Sequence, residues 1–343
     1  MVKLDDIKKE CKSIMEEGKV KYIIGYRKKN NFYMSVPAFI EKIEEIDQLI
    51  WAPSCVYNLV RFLRDEKIRK ERQKTPDTRP IGVVVKGCDS RAINVLLQER
   101  FIKREDVYII GVACEKSGVI DEKKLGKKFS EKNIEQIEFG KDNNFIITTE
   151  KGKTTISAEE ILAERCIECN NNTPVIYDVL LGEKVERSLS EHFKSLEKLE
   201  SISTEEKWNF WKKELDKCIR CYACRSVCPM CYCDECIADS ISLAVKPDTT
   251  AEEKAQKIRW VEKSPVSSEN FSYHLIRALH LAGRCIDCGE CERVCPVDIP
   301  LRYLNKKMEK EASEQFGYTA GLNPEKPALV SCFKDDDPQG FIK

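Results

Sequence analysis

Residues 81–114, IGVVVKGCDSRAINVLLQERFIKREDVYIIGVAC, contain the pattern that decides the fold of the first half of the chain. Two short apolar runs, Ile81–Val85 and Val107–Ala113, have the length and β-branched content of strands buried on both faces. The segment between them, Ser90–Arg100, has the composition of a helix, so the two strands form a βαβ unit. The sequence therefore predicts a parallel sheet within an α/β domain.

Further strands are predicted on either side of this unit. Val20–Tyr26 and Asn31–Val36 have the length and apolar content of strands, whereas Phe39 begins a run of apolar residues at helical spacing. A hairpin is predicted over Phe145–Thr155, with Gly152 at its turn.

The last third of the chain has no strand-like alternation and is predicted to be mostly α-helical. In the segment that leads into it, Trp208, Trp211 and Leu215 lie on one helical face and are expected to pack into the core. Phe271, Leu275 and Leu279 share a face of another helix. The predicted domains are an α/β domain over 1–182, a helical connector over 183–217, a cysteine-rich helical domain over 218–310 and a tail over 311–343.

Composition excludes several classes of function. The 343 residues contain 58 Lys and Arg against 58 Asp and Glu, so no net charge favours nucleic acid. No apolar run approaches the roughly 20 residues that span a membrane, and the acidic N-terminus is unlike a signal peptide, so a cytoplasmic protein is expected. The 18 cysteines are clustered, and in a reducing compartment such clusters bind metal or carry out redox chemistry.

Two cysteine runs have the same spacing, C-x2-C-x2-C-x3-C-P, one starting at Cys218 and the other at Cys285. This is the spacing of bacterial ferredoxins, in which three cysteines of one run and the fourth of the other bind each 4Fe–4S cluster. Structural zinc sites, which use paired Cys or His ligands, do not require the third cysteine or the Cys-Pro. The predicted ligands are Cys218, Cys221, Cys224 and Cys295 for one cluster, and Cys285, Cys288, Cys291 and Cys228 for the other.

Several other cysteines have no assigned ligand role. Cys231, Cys233 and Cys236 directly follow the first run and are either spare thiols packed beside a cluster or additional ligands. The spacing leaves both alternatives open. Cys55 and Cys332 have no assigned role.

A third group of cysteines is predicted in the α/β domain. Cys88 and Cys114 each follow a predicted parallel strand, and the carboxyl ends of such strands form ligand sites in open α/β sheets. Cys166 and Cys169 add a C-x-x-C pair. A third iron–sulfur cluster is predicted from these four residues, the alternative being that each is a buried core cysteine.

Two family resemblances follow from these motifs. The last third, above all His274–Arg302, resembles the helical ferredoxin domains of fumarate reductase iron–sulfur subunits and heterodisulfide reductase C subunits. The order of Gly87–Ser90, Ile110–Cys114, Cys166-x-x-Cys169 and Tyr177–Gly182 resembles that of the coenzyme F420 hydrogenase/dehydrogenase β-subunit family. Within that family, the order of the domains is most similar to the formate dehydrogenase β subunit.

The resemblance implies an oxidoreductase subunit in which the first domain is of flavin type and binds FAD. This FAD would exchange hydride with a deazaflavin or NAD(P), and the clusters would exchange electrons with a catalytic formate dehydrogenase or hydrogenase subunit. No G-x-G-x-x-G fingerprint is present. The candidate flavin contacts are instead Lys86, Gly87 and Arg91, because glycine permits close approach of the backbone and arginine pairs with phosphate. No catalytic residue is assigned.

The alternative function is an iron–sulfur electron wire without its own substrate, which would serve a heterodisulfide reductase A-like flavoprotein. A third alternative, a zinc-structured interaction module, would be colourless. In either electron-transfer function, basic residues beside the motifs would raise the cluster potentials, or would be ordinary surface charge. These residues are Lys217, Arg220, Arg225, Arg284 and Arg293.

Overall fold

A computed structural model gives the structure of most of the chain. It describes residues 2–30, 33–114, 118–129, 134–141, 144–184, 192–233, 236, 238, 248–256, 261 and 264–331. The chain divides into two compact units. The first comprises Met1–His192, Ile286–Cys288 and Thr319–Phe333, and the described part of the second comprises Phe193–Cys285 and Gly289–Tyr318.

The described residues of the first unit form eight strands in two sheets. The strands are β1 Ile23–Lys28, β2 Ser35–Ile40, β3 Ile81–Val85, β4 Val107–Val112, β5 Ile134–Phe139, β6 Asn144–Thr149, β7 Gly152–Ser157 and β8 Val179–Leu181. One sheet has five strands in the order β2-β1-β3-β4-β8, and the other has three in the order β5-β6-β7. The helices of this unit are α1 Leu4–Glu16, α2 Arg61–Arg72, α3 Gly87–Gln98, α4 Glu122–Lys128, α5 Ala158–Ile161 and α6 Glu164–Ile167.

The larger sheet confirms the predicted βαβ unit. β3 and β4 are parallel, with Ile81 opposite Val107, and β1 and β8 pair in parallel on either side of them. Helix α3 begins at Gly87 rather than at the predicted Ser90. The Asp89 carboxylate accepts the backbone N–H of Lys86 at 3.0 Å, which satisfies a free donor at the start of the helix.

The predicted strand over Asn31–Val36 is wrong in position, and the helical run begins later than Phe39. Strand β2 extends from Ser35 through Phe39 to Ile40, a 3-10 helix follows over Ile43–Gln48, and residues 31 and 32 lie outside the described residues. Proline is tolerated in this strand because β2 is at the edge of the sheet. One side of β2 has no partner strand, so the N–H that Pro37 lacks is not needed for a hydrogen bond on that side. The hairpin with Gly152 at its turn is confirmed by the pairing of β6 with β7.

The second unit is helical over its described residues, as predicted for the C-terminal part. Its helices are α7 Lys194–Ser201, α8 Thr204–Asp216, α9 Ala223–Ser226, α10 Ala251–Gln256, α11 Ser267–His280, α12 Glu290–Arg293 and α13 Leu301–Phe316. Leu215, Tyr273 and Leu301 pack in one buried cluster with cysteines of both ferredoxin-type motifs. No helix in the described ranges is long and apolar enough to cross a membrane.

The core packing expected for one face of α8 is confirmed in part. Leu215 is buried and Trp211 packs against the same cluster, whereas Trp208 is 54% exposed. On α11, Leu275 and Leu279 are exposed, whereas the buried face carries polar residues, His274 and Arg277 among them, as well as Tyr273. These polar side chains lie against the cysteines.

Candidate iron–sulfur sites

The structure brings together the four cysteines predicted for a third cluster. Cys88 lies in the first turn of α3 and Cys114 follows β4, so the register of β3 with β4 places them at the same sheet edge. Cys166 lies in α6 and Cys169 follows it. All four line one cavity of about 50 Å³. Because every lining residue belongs to the first unit, this unit contains the whole candidate site.

The surroundings of these thiols fit a cluster. Burial raises the pKa of Cys114 to about 12, and burial together with the nearby Asp89 raises the pKa of Cys88. Metal ligation requires thiolates, and a buried thiolate is stabilised when iron replaces its proton. The Cys166 sulfur accepts the backbone N–H of Val119 at 3.4 Å, the kind of bond that stabilises cluster sulfurs. Lys86, Arg91 and Arg165 also line the cavity, and the Asp89 carboxylate offsets the charge of Lys86.

The three predicted flavin contacts have partners within the chain. Lys86 Nζ lies 2.9 Å from the Asp89 carboxylate and 2.8 Å from the carbonyl oxygen of Tyr57, to which it donates. Arg91 Nε donates to the carbonyl oxygen of Ala320 at 2.9 Å. A Cβ atom on Gly87 would lie 2.2 Å from the Asn171 carbonyl oxygen, so this glycine is required by the protein backbone itself. Their contact with a flavin stays a prediction.

A second cavity, of about 30 Å³, shares Lys86, Cys114, Gly118 and Val119 with the first. Its other lining residues include the aromatic side chains of Trp51 and Phe139. Sequence reasoning gave no signal for these two residues, because neither belongs to a motif and they are 88 positions apart.

In the second unit, Cys218, Cys221, Cys224 and Cys295 line one cavity of about 20 Å³. These are the four residues predicted to ligate one cluster, and Cys295 is brought in from the other motif. Equivalent backbone turns occur in both motifs: Arg220 and Tyr222 have positive φ angles, as do Asp287 and Gly289, at matching positions. The repeated cysteine spacing is therefore accompanied by a repeated loop conformation.

Hydrogen bonds to sulfur support ligation by these cysteines. Cys218 Sγ accepts the Arg220 backbone N–H at 3.4 Å, and His274 Nε2 lies 3.3 Å from the same sulfur. Burial and the nearby charges of Arg277 and Arg220 lower the pKa of His274 to about 3, so its imidazole is neutral. Cys291 Sγ accepts from the Asn305 amide at 3.5 Å. Thiolates are the stronger acceptors in all of these contacts.

The remaining cysteines differ in their surroundings. Cys231 lies 3.6 Å from the Arg277 guanidinium, Cys233 is exposed and Cys236 packs against the core of the second unit. Cys55 is fully buried beside Ser35 in the first unit, and Cys332 lies outside the described residues. Within the described ranges, no three His, Cys, Asp or Glu side chains converge to hold a single metal ion.

Arg277 is the residue that sequence reasoning missed. Among the five basic residues singled out, Lys217 is exposed and paired with Glu214, and Arg293 is paired with Glu290. Arg277 was not among them, because it lies in the middle of α11, eight positions before the second motif. No local pattern marks it.

Comparison with known proteins gives two matches to families. Residues 78–211 match the family of coenzyme F420 hydrogenase/dehydrogenase beta subunits, in the part described as their C terminus. Residues 214–299 match the 4Fe–4S dicluster domain and contain both ferredoxin-type motifs.

Individual relatives agree with these matches. The F420-dependent formate dehydrogenase subunit beta of Methanocaldococcus jannaschii is 26% identical, over 93% of this chain and 92% of its own length. The F420-dependent formate dehydrogenase 1 subunit beta of Methanococcus maripaludis is 23% identical, over 93% and 91%. A chain of the F420-reducing [NiFe] hydrogenase complex from Methanosarcina barkeri is 17% identical over 47% of this chain and 58% of its own, with a TM-score of 0.36. The predicted resemblance to the coenzyme F420 hydrogenase/dehydrogenase beta-subunit family, with a 4Fe–4S dicluster domain after it, is confirmed by the matches over residues 78–211 and 214–299.

Proposed function

We propose that this chain is the electron-transfer β subunit of an F420-linked oxidoreductase complex of the formate dehydrogenase type. The observation that carries the proposal is the grouping of eight predicted ligands into two cavities, four cysteines in each unit. A two-electron hydride donor and a one-electron chain of clusters must meet in such a subunit, and a flavin beside the third group of cysteines would supply that junction.

The ligands of the clusters are proposed as follows. Cys218, Cys221, Cys224 and Cys295 hold one dicluster site, and Cys285, Cys288, Cys291 and Cys228 hold the other. Cys88, Cys114, Cys166 and Cys169 hold the third. Bound clusters supply one-electron chemistry. The chain provides the thiolates, the N–H donors to sulfur and the buried positive charge that sets potential.

FAD is proposed as the hydride acceptor, and reduced F420 or NAD(P)H as its donor. The cavity lined by Trp51 and Phe139 adjoins Cys114 of the proposed third cluster and offers aromatic faces to a flavin ring. At about 30 Å³ it is far smaller than the roughly 300–1,000 Å³ of typical cofactor pockets, so the flavin must widen it. The proposed partners are a catalytic formate dehydrogenase or hydrogenase subunit and, downstream, a heterodisulfide reductase A-like flavoprotein.

The test is made on the full chain, purified anaerobically. We expect roughly twelve iron and twelve sulfide per chain, a brown colour, and about one FAD after incubation with excess FAD. Trp51→Ala is expected to weaken FAD binding at least tenfold, whereas Trp208→Ala, at an exposed tryptophan of the other unit, leaves it unchanged. Iron below about four per chain, with zinc in its place, would contradict the assignment of clusters.

The second candidate function is the electron wire without a substrate of its own. It is favoured by the small volume of the aromatic cavity and by the internal partners of Lys86, Gly87 and Arg91. A fully iron-loaded protein that binds no FAD supports the wire. If FAD binds but neither reduced F420 nor NAD(P)H reduces it, the flavin proposal stands and the proposed hydride donor is wrong.

A further inference from the structure

Arg277 on α11 is a buried arginine with no carboxylate partner among the residues the structure describes. Its side chain is 4% exposed. Nη2 donates to the backbone oxygen of Cys224 at 3.3 Å and lies 3.6 Å from Cys231 Sγ. Nε is buried and has no hydrogen-bond partner in the described part of the chain. The guanidinium thus lies against Cys224 and Cys231.

A buried guanidinium requires an anion. Arginine stays protonated in proteins, and removing an unpaired charge from water is strongly unfavourable. No described carboxylate compensates Arg277, and its described hydrogen-bond contacts are to Cys224 and Cys231. Cluster-ligating thiolates, together with the cluster they hold, form a group of net negative charge that meets this need.

The buried cluster that contains Cys224 also contains cysteines of the other ferredoxin-type motif. Cys224, whose backbone oxygen accepts a hydrogen bond from Arg277, comes from the first motif, and Cys291 comes from the second. Both pack in this cluster because α9 contacts α12. The positive charge therefore lies close to thiols that we assign to different clusters.

We infer that Arg277 is a positioning residue between the two dicluster sites, where it is the shared counter-ion that raises the reduction potential of both clusters. This inference rests on the proposed ligation by Cys224 and Cys291. Each cluster takes up one electron on reduction, with no bond made or broken, and the added negative charge is stabilised by the same guanidinium. Loss of the charge must therefore lower both potentials together.

The experiment is an anaerobic redox titration of the full-length protein with dithionite as reductant, followed by EPR. Arg277→Gln removes the charge while keeping much of the side-chain volume, and Arg277→Lys keeps the charge. Arg225→Gln is the matched control, because Arg225 lies on α9 next to Cys224 but is partly exposed and screened by water. For Arg277→Gln we expect the reduction equilibrium constant of each dicluster site to fall at least tenfold, which is about 59 mV per one-electron couple. Arg277→Lys and Arg225→Gln are expected to change it by less than threefold.

Each result decides the inference. A shift in only one cluster, or in neither while iron content is unchanged, overturns it. If Arg277→Gln loses iron and Arg277→Lys keeps it with near-normal potentials, the counter-ion role is supported. If both variants lose iron, the role is structural and the inference fails. Wild-type protein that lacks the EPR signals of two dicluster sites would instead refute the proposed ligation, so the two failures are distinguishable.

Discussion

Gly118 offers a sharp test of the proposed third cluster. A Cβ atom at this position would lie 2.4 Å from Cys166 Cβ and 2.7 Å from Cys166 Sγ. Carbon atoms pack at about 3.5–4.0 Å, so a Gly118→Ala variant must separate the two residues by about 1 Å. Neither side moves easily, since Ala163 N–H donates to the Val119 carbonyl and Val119 N–H donates to Cys166 Sγ.

The displacement is large compared with the tolerance of metal ligation, in which distances hold to about 0.2 Å. We therefore expect Gly118→Ala to lose about four of roughly twelve iron per chain while the dicluster sites keep theirs. Overpacking is expected to lower the free energy of unfolding by about 1–3 kcal/mol. Iron, acid-labile sulfide and thermal unfolding are measured on anaerobic protein.

Gly18→Ala is the matched control. Gly18 lies in the same unit, has a φ of +66° and would place its Cβ more than 4 Å from any other described group. Its backbone strain is expected to cost about 1–2 kcal/mol without loss of iron. A Gly118→Ala protein with its full iron content and an unchanged absorption spectrum would refute the ligand role of Cys166.

Three further outcomes are expected. Replacing Cys166 and Cys169 together by Ser should remove about four iron and leave the dicluster iron in place. An unchanged iron content would show that these two residues are buried core cysteines rather than ligands. Glu66→Gln should lower the free energy of unfolding by about 2 kcal/mol at pH 7, measured by urea denaturation. Burial alone would raise the pKa of Glu66, but hydrogen bonds from Lys21 and Tyr22 lower it, so its contribution is present above about pH 4.3 and is lost as pH falls through the folded pKa. A stability difference that persists to pH 2 would contradict this. Cys55→Ala should lower the free energy of unfolding by about 1–2 kcal/mol and leave the iron content per chain unchanged. Loss of iron in this variant would show that Cys55 is a metal ligand.

The sequence predicted those parts of the fold that depend on short stretches of residues or on a known ligation rule. The apolar runs at Ile81–Val85 and Val107–Ala113 are buried strands because no polar residue interrupts them. The Cys-Pro motifs predicted that Cys295 would join Cys218, 77 positions away, because the ligation rule of ferredoxins is itself a long-range rule. Strand β2 was misplaced because Pro37 is read as a breaker unless the strand is known to be at an edge.

Burial on α11 could not be predicted in this way. Leu275 and Leu279 have the periodicity of a core face, yet they are exposed, and the buried face carries His274 and Arg277. Hydrophobic periodicity assumes that the opposite surface is apolar. Here the opposite surface includes cysteines that come from other segments of the chain, and a single sequence window carries no information about them.

The number of basic residues close in sequence to a cysteine motif also does not predict the electrostatic potential at those cysteines. Lys86 directly precedes the Gly-Cys turn, but the Asp89 carboxylate 2.9 Å from its Nζ leaves a buried dipole rather than a net charge. Arg277 is far from its cysteines in sequence, yet no described carboxylate offsets it. In a chain with equal numbers of acidic and basic residues, the potential at a cofactor depends on which cations lack a partner. Arg277, rather than Lys86, is therefore the residue whose loss should change cluster chemistry most.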